Sequence, residues 1–396
     1  MAKRRTHRRV PRVRKNTQGV MKNICILPWI SIDRNRTRAT DKVSLTPCCL
    51  YEPSKAHSDI EDYWNDTEII ALRESMLAGD RPHGCRLCWE NEDKGLKSLR
   101  QSVNEGRLET YKERLASTTV AERPIQVKYT AGTECNLACR MCLPNLSSKV
   151  AKVWDIIGKR SHSQTDDLLN DSEYILNNRK HIEYIDITGG EPFYHKKVKN
   201  LLKALIDSKD NEHISLHIVT NATRIDNHTI ELLKQFKDVV LSISMEGVGG
   251  IQEYIRPGCE WKSLLTNIKK LQDNFFSLQV VSTISVLNII HLEDLERWCH
   301  ENNLHWAQPG LIDNPPELSP HNLPYQLHHL VPSRYKQYLS KSMTNDPVGF
   351  IKDLDKYWRT DITKQMPEWN KVFDALHWQN NEELIRMNEV AKKYVG

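Results

Sequence analysis

The middle of the chain alternates between two spacings of apolar residues. Short apolar runs, typical of buried strands, are separated by stretches in which apolar residues recur every three or four positions, as on one helix face. Because strands that alternate with helices favour a parallel sheet, this pattern predicts an α/β fold of six β/α units. The strands are predicted at Pro124–Thr130, Tyr184–Thr188, Ile214–Thr220, Val239–Ser244, Leu278–Val286 and Leu304–Ala307, and the helices at Val198–Ile206, Ile230–Phe236, Trp261–Leu271 and Leu292–His300.

The segments on either side of this alternation have other patterns. Before it, helical periodicity occurs at Ile69–Leu77 and, within a charged stretch, at Leu108–Leu115. After it, prolines punctuate residues 313–324, and helical stretches are predicted from Ser333 onwards. The predicted organisation is an arm at residues 1–19, a cysteine-rich module at 20–95, a helical linker at 96–122, the β/α core at 123–310 and a helical C-terminal cap at 311–396.

Three cysteines lie close together just after the first predicted strand of the core. Cys135, Cys139 and Cys142 have the spacing C-x3-C-x2-C, which lets three thiols wrap one 4Fe–4S cluster. A cluster of four irons with three protein ligands leaves one iron open to a ligand that is not protein. The loop therefore indicates chemistry at that iron rather than electron transfer alone.

A second motif follows the next predicted strand. Gly189 and Gly190 permit a close approach of the backbone to a ligand, and the charge of Glu191 can hold an ammonium group. Active sites of α/β barrels lie at such strand ends. The alternative interpretation is a zinc site in the cysteine loop, with the glycines forming an ordinary turn.

With these two motifs, residues 123 to 310 resemble the radical S-adenosylmethionine (SAM) superfamily. The resemblance implies a partial TIM-like (β/α)6 barrel in which Cys135, Cys139 and Cys142 bind the cluster. It also implies that SAM chelates the fourth iron through its amino and carboxylate groups, beside Gly189–Glu191. The family often has an aromatic residue before the third cysteine, where this chain has Met141.

Further cofactor contacts are expected at the ends of later strands. Thr220-Asn221-Ala222 resembles the Thr-Asn-Gly turn of the family, with alanine in the last place. The next strand ends at Ser242, Ser244 and Glu246, where the family usually holds the SAM ribose or carboxylate. Arg256 is a candidate partner for the SAM carboxylate. For each of these residues a loop or capping role is the alternative.

The amino-terminal third contains a second group of cysteines. Cys25, Cys85, Cys88 and one of the adjacent Cys48 and Cys49 give four thiols, a complete ligand set for a 4Fe–4S cluster or a zinc ion. The segment resembles the auxiliary-cluster module of SPASM and twitch radical SAM proteins, placed before the barrel. In such modules the ligand directly follows a proline, which favours Cys48.

Charge is distributed unevenly along the chain. The net charge is +5, but residues 1–19 hold eight basic residues and no acid, and the remainder has 48 basic against 51 acidic residues. The arm is predicted to be disordered. It is either a polyanion-binding segment that contacts nucleic acid or a solvated tail.

Eight of the ten cysteines fall into the two groups, and no apolar signal or membrane-spanning run is found, so a reducing cytoplasm is the expected compartment.

The expected activity is reductive cleavage of SAM to a 5′-deoxyadenosyl radical, which removes hydrogen from a substrate. The resemblance implies a low-potential electron donor such as flavodoxin or ferredoxin. The auxiliary cluster is expected to accept an electron, to bind substrate or to brace the fold. The substrate is a peptide, a protein or a small molecule. The alternative function is a zinc-containing nucleic-acid-binding protein with an inactive barrel.

Overall fold

The computed structural model describes residues 21–36, 43–93, 95, 97–120, 122–159, 171–274, 277–312, 314–340 and 343–373. The predicted basic arm and the last part of the predicted cap lie outside the described residues. The chain divides into two compact units between Lys128 and Tyr129, within strand β3 (Gln126–Thr130). Among the described residues, no helix has the length and apolar character needed to cross a membrane.

The first unit combines a small sheet with short helices. Strand β1 (Ser31–Arg36) pairs antiparallel with β2 (Val43–Thr46), and Ser31 and Ile32 pair in parallel with the start of β3. Its core is apolar, with Trp29, Leu45 and Met76 completely buried. The helices are α1 (Leu27–Ile30), α2 (Ile60–Trp64), α3 (Thr67–Leu77), α4 (Arg86–Asp93) and α5 (Leu99–Tyr111), and 3-10 turns lie at Met21–Asn23, His83–Cys85 and Lys112–Ala116.

Helix α5 occupies about half of the segment for which a linker is predicted, and it lies within the first unit. A capping box starts it, because the Ser98 side chain accepts from the backbone of Gln101 and the Gln101 side chain accepts from that of Ser98. Arg100 is buried and donates to the backbone carbonyls of Lys22 and Ile24. The segment is therefore tied to the amino-terminal chain of its own unit.

The second unit is built on a parallel sheet, which confirms the predicted fold class. The sheet order is β3, β4, β5, β6, β7 and β9, and each neighbouring pair from β4 onwards runs parallel. A short parallel pair, β8 and β10, forms a separate sheet. These strands are β4 (Tyr184–Thr188), β5 (Ser215–Thr220), β6 (Asp238–Ser244), β7 (Ser277–Val281), β8 (Thr283–Ile284), β9 (His305–Trp306) and β10 (Gly310–Leu311).

Helices connect successive strands, as the alternation of the sequence predicts. Their apolar faces are buried; in α8, for example, Val198, Leu201 and Leu205 are at most 2% exposed. The predicted strand Leu278–Val286 is interrupted at Ser282, whose hydroxyl donates to the Glu246 carboxylate. The helices are α6 (Ser148–Ile156), α7 (Asp171–Asn178), α8 (Lys196–Asp207), α9 (Asn227–Leu233), α10 (Gly250–Ile255), α11 (Trp261–Gln272) and α12 (Leu292–Glu301).

The two faces of the parallel sheet differ in polarity. On one face, Ile185, Ile187 and Ile218 are completely buried. On the other face, the alternate positions of β4 and β5 are only half-buried. Because side chains alternate between faces along a strand, this second face is the open, concave side of the partial barrel.

The chain after the last strand packs against the cysteine loop. Helices α13 (Pro347–Trp358) and α14 (Ile362–Gln365) are preceded by 3-10 turns rather than by the longer helices predicted from Ser333. Prolines at the starts of these turns limit their length. Phe350 and Trp369 share one buried apolar cluster with Ala138 and Met141 of the cysteine loop.

Candidate functional site

A cavity of about 240 Å³ opens at the carboxyl ends of the strands of the second unit. All three cysteines of the C-x3-C-x2-C loop line it, together with both glycines that follow β4. The cavity therefore brings together motifs that lie about fifty residues apart in sequence. Its lining is Cys135, Leu137, Cys139, Met141, Cys142, Leu146, Ser147, Thr188, Gly189, Gly190, Val219, Thr220, Asn221, Ser244, Glu246, Arg256 and Thr283.

Backbone hydrogen bonds hold the cysteine loop in place. The amide of Arg140 donates to the carbonyl of Ile255 at 2.9 Å, and that of Ala138 donates to Pro257 at 3.4 Å. The buried Arg140 side chain donates to the carbonyl of Tyr254 at 2.7 Å and pairs with Asp355 at 3.0 Å. The loop is therefore anchored on the end of α10, on Pro257 just after it and on α13.

The two glycines after β4 lie in tight contact with the cysteine loop. Gly189 has φ +94°, and a Cβ on it would lie 2.7 Å from Thr130 Cγ2. Gly190 has φ +49°, and its Cβ would lie 2.1 Å from the carbonyl oxygen of Glu134. Only glycine fits both the left-handed backbone and this close approach. The strand-end motif thus packs directly on the residue before Cys135.

Glu191 is turned into the protein rather than towards the cavity. It is 1% exposed and does not line the cavity. Its carboxylate accepts from the Thr220 hydroxyl at 2.6 Å, the Asn221 amide at 2.7 Å and the Phe193 amide at 3.2 Å. Burial raises the pKa of Glu191 to about 6, against these hydrogen bonds, which lower it. In this geometry Glu191 joins the ends of β4 and β5.

Arg256 and Glu246 form a buried ion pair at the cavity wall. The Arg256 Nη2 lies 2.5 Å from Glu246 Oε1, and its Nη1 donates to the Cys139 sulfur at 3.5 Å. Glu246 also accepts from the Ser282 hydroxyl and the Thr283 amide. Among the described residues, the buried Arg256 Nε has no hydrogen-bond partner. This arginine can therefore still donate to an incoming carboxylate.

Asn221 lies between the two motifs. Its Nδ2 donates to Asn136 Oδ1 at 3.1 Å and approaches the Cys135 sulfur at 3.9 Å. The next residue, Ala222, has φ +53°. The family turn has glycine at this place, and the left-handed backbone explains why glycine suits it.

The two predicted serines on β6 have different surroundings. Ser244 lines the cavity. Ser242 lies two residues earlier, is 1% exposed and is bonded to His217 and Gln279 instead. The structure thus places Gly189, Gly190, Asn221, Ser244 and Arg256 on the cavity wall, and Glu191 and Ser242 behind it.

The chemistry of the cavity wall fits a bound cluster. Burial raises the pKa of the Cys142 thiol to about 12 and that of Cys135 to about 11. Buried thiols of this kind ionise when a metal centre binds them. Three thiols, a glycine cradle and an arginine with an unpartnered Nε provide ligands for a cluster and donors for an anionic group beside it.

The cysteines of the first unit surround a smaller cavity. Cys25, Cys48, Cys85 and Cys88 all line it, whereas Cys49 is exposed and does not. Burial raises the pKa of the Cys25 thiol to about 12. The wall is completed by Leu27, Leu50, Tyr51, Leu99 and Arg100.

A buried ion pair lies beside this smaller cavity. Arg100 Nη2 pairs with Glu92 at 2.6 Å, and the guanidinium lies 4.7 Å from the ring centroid of Trp89. Its Nη1 donates to the carbonyl of Ile24, the residue before Cys25. Arg100 therefore joins α4, which carries Cys88, to the chain that carries Cys25.

Within the described part of the chain, no three His, Cys, Asp or Glu side chains are grouped closely enough to hold one metal ion. A cluster requires a different spacing, because each cysteine binds a separate iron atom.

Some residues around the main cavity were not anticipated from the sequence. Arg140 and Gln279 make contacts with segments far away in the chain, whereas Gln252 accepts from the amide of the nearby Glu246. A polar row of Asp186 and His217 also lies on the concave face. The sequence carries one sign of this row, because Asp186 and His217 are polar residues at the matching position of two otherwise apolar strands.

Residues 129–301 match the family model described as the radical SAM superfamily. The matched segment lies in the second unit and includes both the three-cysteine loop and the Gly189–Gly190 turn.

The chain is also similar to solved structures of two other proteins. It is 15% identical to anSMEcpe with bound AdoMet and a peptide, with a TM-score of 0.36, over 47% of this chain and 50% of that one. It is 17% identical to SuiB of Streptococcus suis bound to S-adenosylmethionine, with a TM-score of 0.38, over 76% of this chain and 68% of that one. The chain thus spans about half the length of anSMEcpe. No curated protein sequence matches the chain.

Proposed function

We propose that this chain is a radical SAM enzyme whose cofactor site is the cavity formed by the three-cysteine loop and the Gly189–Gly190 turn. The observation that carries the proposal is that all three cysteines, both glycines and Arg256 line one cavity within the segment that matches the family model. When bound there, the cluster and SAM supply a 5′-deoxyadenosyl radical, which removes a hydrogen atom from the substrate.

The residues of the chain hold and orient the cofactors. Cys135, Cys139 and Cys142 are the proposed cluster ligands. Gly189 and Gly190 let the end of β4 pack directly against the cysteine loop, and Arg256 binds the SAM carboxylate through its Nε, which has no partner among the described residues. Glu246 keeps Arg256 in this orientation through the buried ion pair. Asn221 and Ser244 are further polar contacts on the cavity wall.

Glu191 and Ser242 have indirect roles in this proposal. The carboxylate of Glu191 is bonded to the β5 end and positions Asn221. The Glu191 carboxylate accepts from the Thr220 hydroxyl at 2.6 Å and is 1% exposed, outside the lining of the cavity. We therefore assign Glu191 to positioning the site.

The test of this proposal is cleavage of SAM. Anaerobically reconstituted protein with dithionite and SAM is expected to release 5′-deoxyadenosine and methionine, measured by liquid chromatography and mass spectrometry. The variant Cys135→Ala/Cys139→Ala/Cys142→Ala is expected to release neither, while Cys299→Ala serves as a control because this buried thiol lies in α12 and lines neither cavity. A reconstituted wild type that binds iron and SAM but releases no 5′-deoxyadenosine would contradict the proposal.

We further propose that the first unit binds an auxiliary 4Fe–4S cluster through Cys25, Cys48, Cys85 and Cys88. Four thiols share one cavity wall, which is a complete ligand set for a cluster, and a zinc ion is the alternative centre. This centre is the proposed electron acceptor for the substrate radical. A low-potential flavodoxin or ferredoxin is the proposed reductant, and a peptide, a protein or a small molecule is the proposed substrate.

Metal content distinguishes the auxiliary cluster from zinc. Reconstituted wild type is expected to hold about eight irons per chain, and the variants lacking either cysteine set about four. The matched control is Cys49→Ala, which removes the exposed neighbour of Cys48 and is expected to keep all of the iron. About four irons with one zinc in the wild type would make the first unit a zinc module.

A further inference from the structure

A chain of hydrogen bonds crosses four neighbouring strands on the concave face of the second unit. Asp186 Oδ1 lies 3.0 Å from His217 Nδ1, and His217 Nε2 lies 2.7 Å from the Ser242 hydroxyl. The Gln279 amide donates to the same hydroxyl at 2.7 Å. These four residues, here called the interior row, come from β4, β5, β6 and β7 in order.

The interior row lies next to the cofactor cavity. Thr188, Val219 and Ser244 line that cavity, and they follow Asp186, His217 and Ser242 by two residues each. Because side chains two apart on a strand share a face, the row lies one step below the cavity, about 7 Å along the strands. The row is therefore part of the same open interior.

The hydrogen bonds of the row have a fixed direction. A carboxylate only accepts, so Asp186 requires the proton of His217 to be on Nδ1. The Gln279 amide donates to the Ser242 oxygen, which leaves the serine proton to point at His217 Nε2. In this arrangement His217 Nδ1 donates to Asp186, and the lone pair of Nε2 accepts from Ser242.

The arrangement matches a proton acceptor rather than a hydrolytic nucleophile. Ser242 is 1% exposed, and its oxygen has two partners in the row, so it is closed to attack on a substrate. The His217 side chain is 36% exposed and that of Asp186 is 18% exposed, so a substrate in the interior can reach the imidazole. An imidazole oriented by a carboxylate is the usual form of a general base.

We propose that His217 accepts a proton from a substrate that carries an ionisable hydroxyl, thiol or amide group beside its reacting carbon. The bond between the heteroatom and hydrogen breaks, and its electron pair stays on the heteroatom. The substrate group hydrogen-bonds His217 Nε2 in place of the Ser242 hydroxyl and gives its proton to that nitrogen, and the resulting imidazolium is neutralised by Asp186. Asp186, Ser242 and Gln279 are positioning residues. This inference rests on the proposed function, because it assumes that a substrate reacts at the neighbouring cavity.

The tautomer of His217 tests the inference without the substrate. In ¹⁵N-histidine-labelled, reconstituted full-length protein, we expect His217 to show a protonated Nδ1 and an unprotonated Nε2 at neutral pH. His217→Gln assigns the signals. Asp186→Asn is expected to lose the preference for this tautomer, and Ser242→Ala is expected to shift the Nε2 resonance. The control His213→Gln changes a histidine whose ring bonds the carbonyl of Arg179 and should leave the His217 signals in place.

Two results would overturn the inference. One is a His217 that is protonated on Nε2, as the imidazolium or the other tautomer, in the wild type at neutral pH. The other is an Asp186→Asn variant in which the His217 signals do not move. Because the wild-type measurement is decisive alone, variants that fail to fold do not remove the test. Failure of the proposed function is recognised separately, as the absence of 5′-deoxyadenosine release by the wild type.

Discussion

At the scale of single residues, the site depends on contacts too close for any side chain but that of glycine. Gly190 combines a left-handed backbone with a Cβ position 2.1 Å from the Glu134 carbonyl oxygen. Gly158 also has a left-handed backbone, φ +74°, but no atom lies within 4 Å of its Cβ position. The two glycines therefore separate the cost of backbone strain from the cost of steric overlap.

Replacement of Gly190 by alanine is expected to disrupt the cysteine loop. Backbone strain should lower the free energy of unfolding by a similar amount in Gly190→Ala and Gly158→Ala, about 1–2 kcal/mol. The overlap with Glu134 should lower the free energy of unfolding by about 1–3 kcal/mol more, in Gly190→Ala alone. Thermal denaturation and iron content after reconstitution measure the difference. Equal losses of stability and iron in both variants would show that the close approach of the two motifs is not required.

The residue motifs were largely predictable, whereas their orientation was not. The spacing of Cys135, Cys139 and Cys142 is local, so the sequence alone indicates that three thiols share a loop. The direction of Glu191 depends on Thr220, 29 residues away, whose hydroxyl holds the carboxylate. Such a contact between strands leaves no periodic signal in the sequence.

At the scale of elements, strands and helices of the core follow the apolar pattern closely. The predicted strand Tyr184–Thr188 agrees at both ends, and the predicted helix Trp261–Leu271 is one residue longer in the structure. The 3-10 turns between Pro316 and Tyr338 were not anticipated, because repeated prolines fix local turns without a helical period.

The contact between α13 and the cysteine loop is the element-scale feature with the clearest energetic consequence. Arg140 is completely buried and pairs with Asp355, which also accepts from the Tyr254 hydroxyl at 3.0 Å. The Arg140 guanidinium lies 3.9 Å from the Tyr254 ring centroid. Removing the negative charge would leave a buried cation without its partner.

Asp355→Asn is therefore expected to loosen the cysteine loop. We expect a loss of about 3 kcal/mol in the free energy of unfolding of the second unit, because one partner of a buried pair is lost. Iron release to a chelator in mild urea should be faster than in the wild type. Asp353→Asn is the matched control, since Asp353 is exposed on the same helix. If both variants release iron at the same rate, the ion pair does not hold the loop.

At the scale of the whole molecule, the chain divides into two units, each with its own cysteine-lined cavity. The sequence alone shows the cysteines as two separate groups of residues. Where the segment 96–122 packs could not be predicted from the sequence. Helix α5 is held in the first unit by contacts of Arg100 with Lys22 and Ile24, which lie more than seventy residues away in the chain. Nothing local in the sequence distinguishes such a helix from a free linker.

The three-cysteine loop is proposed to hold a cluster with one iron open to SAM. The most direct measurement is electron paramagnetic resonance of the dithionite-reduced, reconstituted protein with and without SAM. We predict a cluster signal that changes on addition of SAM, and its loss in the variant Cys135→Ala/Cys139→Ala/Cys142→Ala, whose remaining signal should not respond to SAM. A wild-type spectrum that is identical with and without saturating SAM would contradict this proposal, because it would mean that SAM does not bind the open iron.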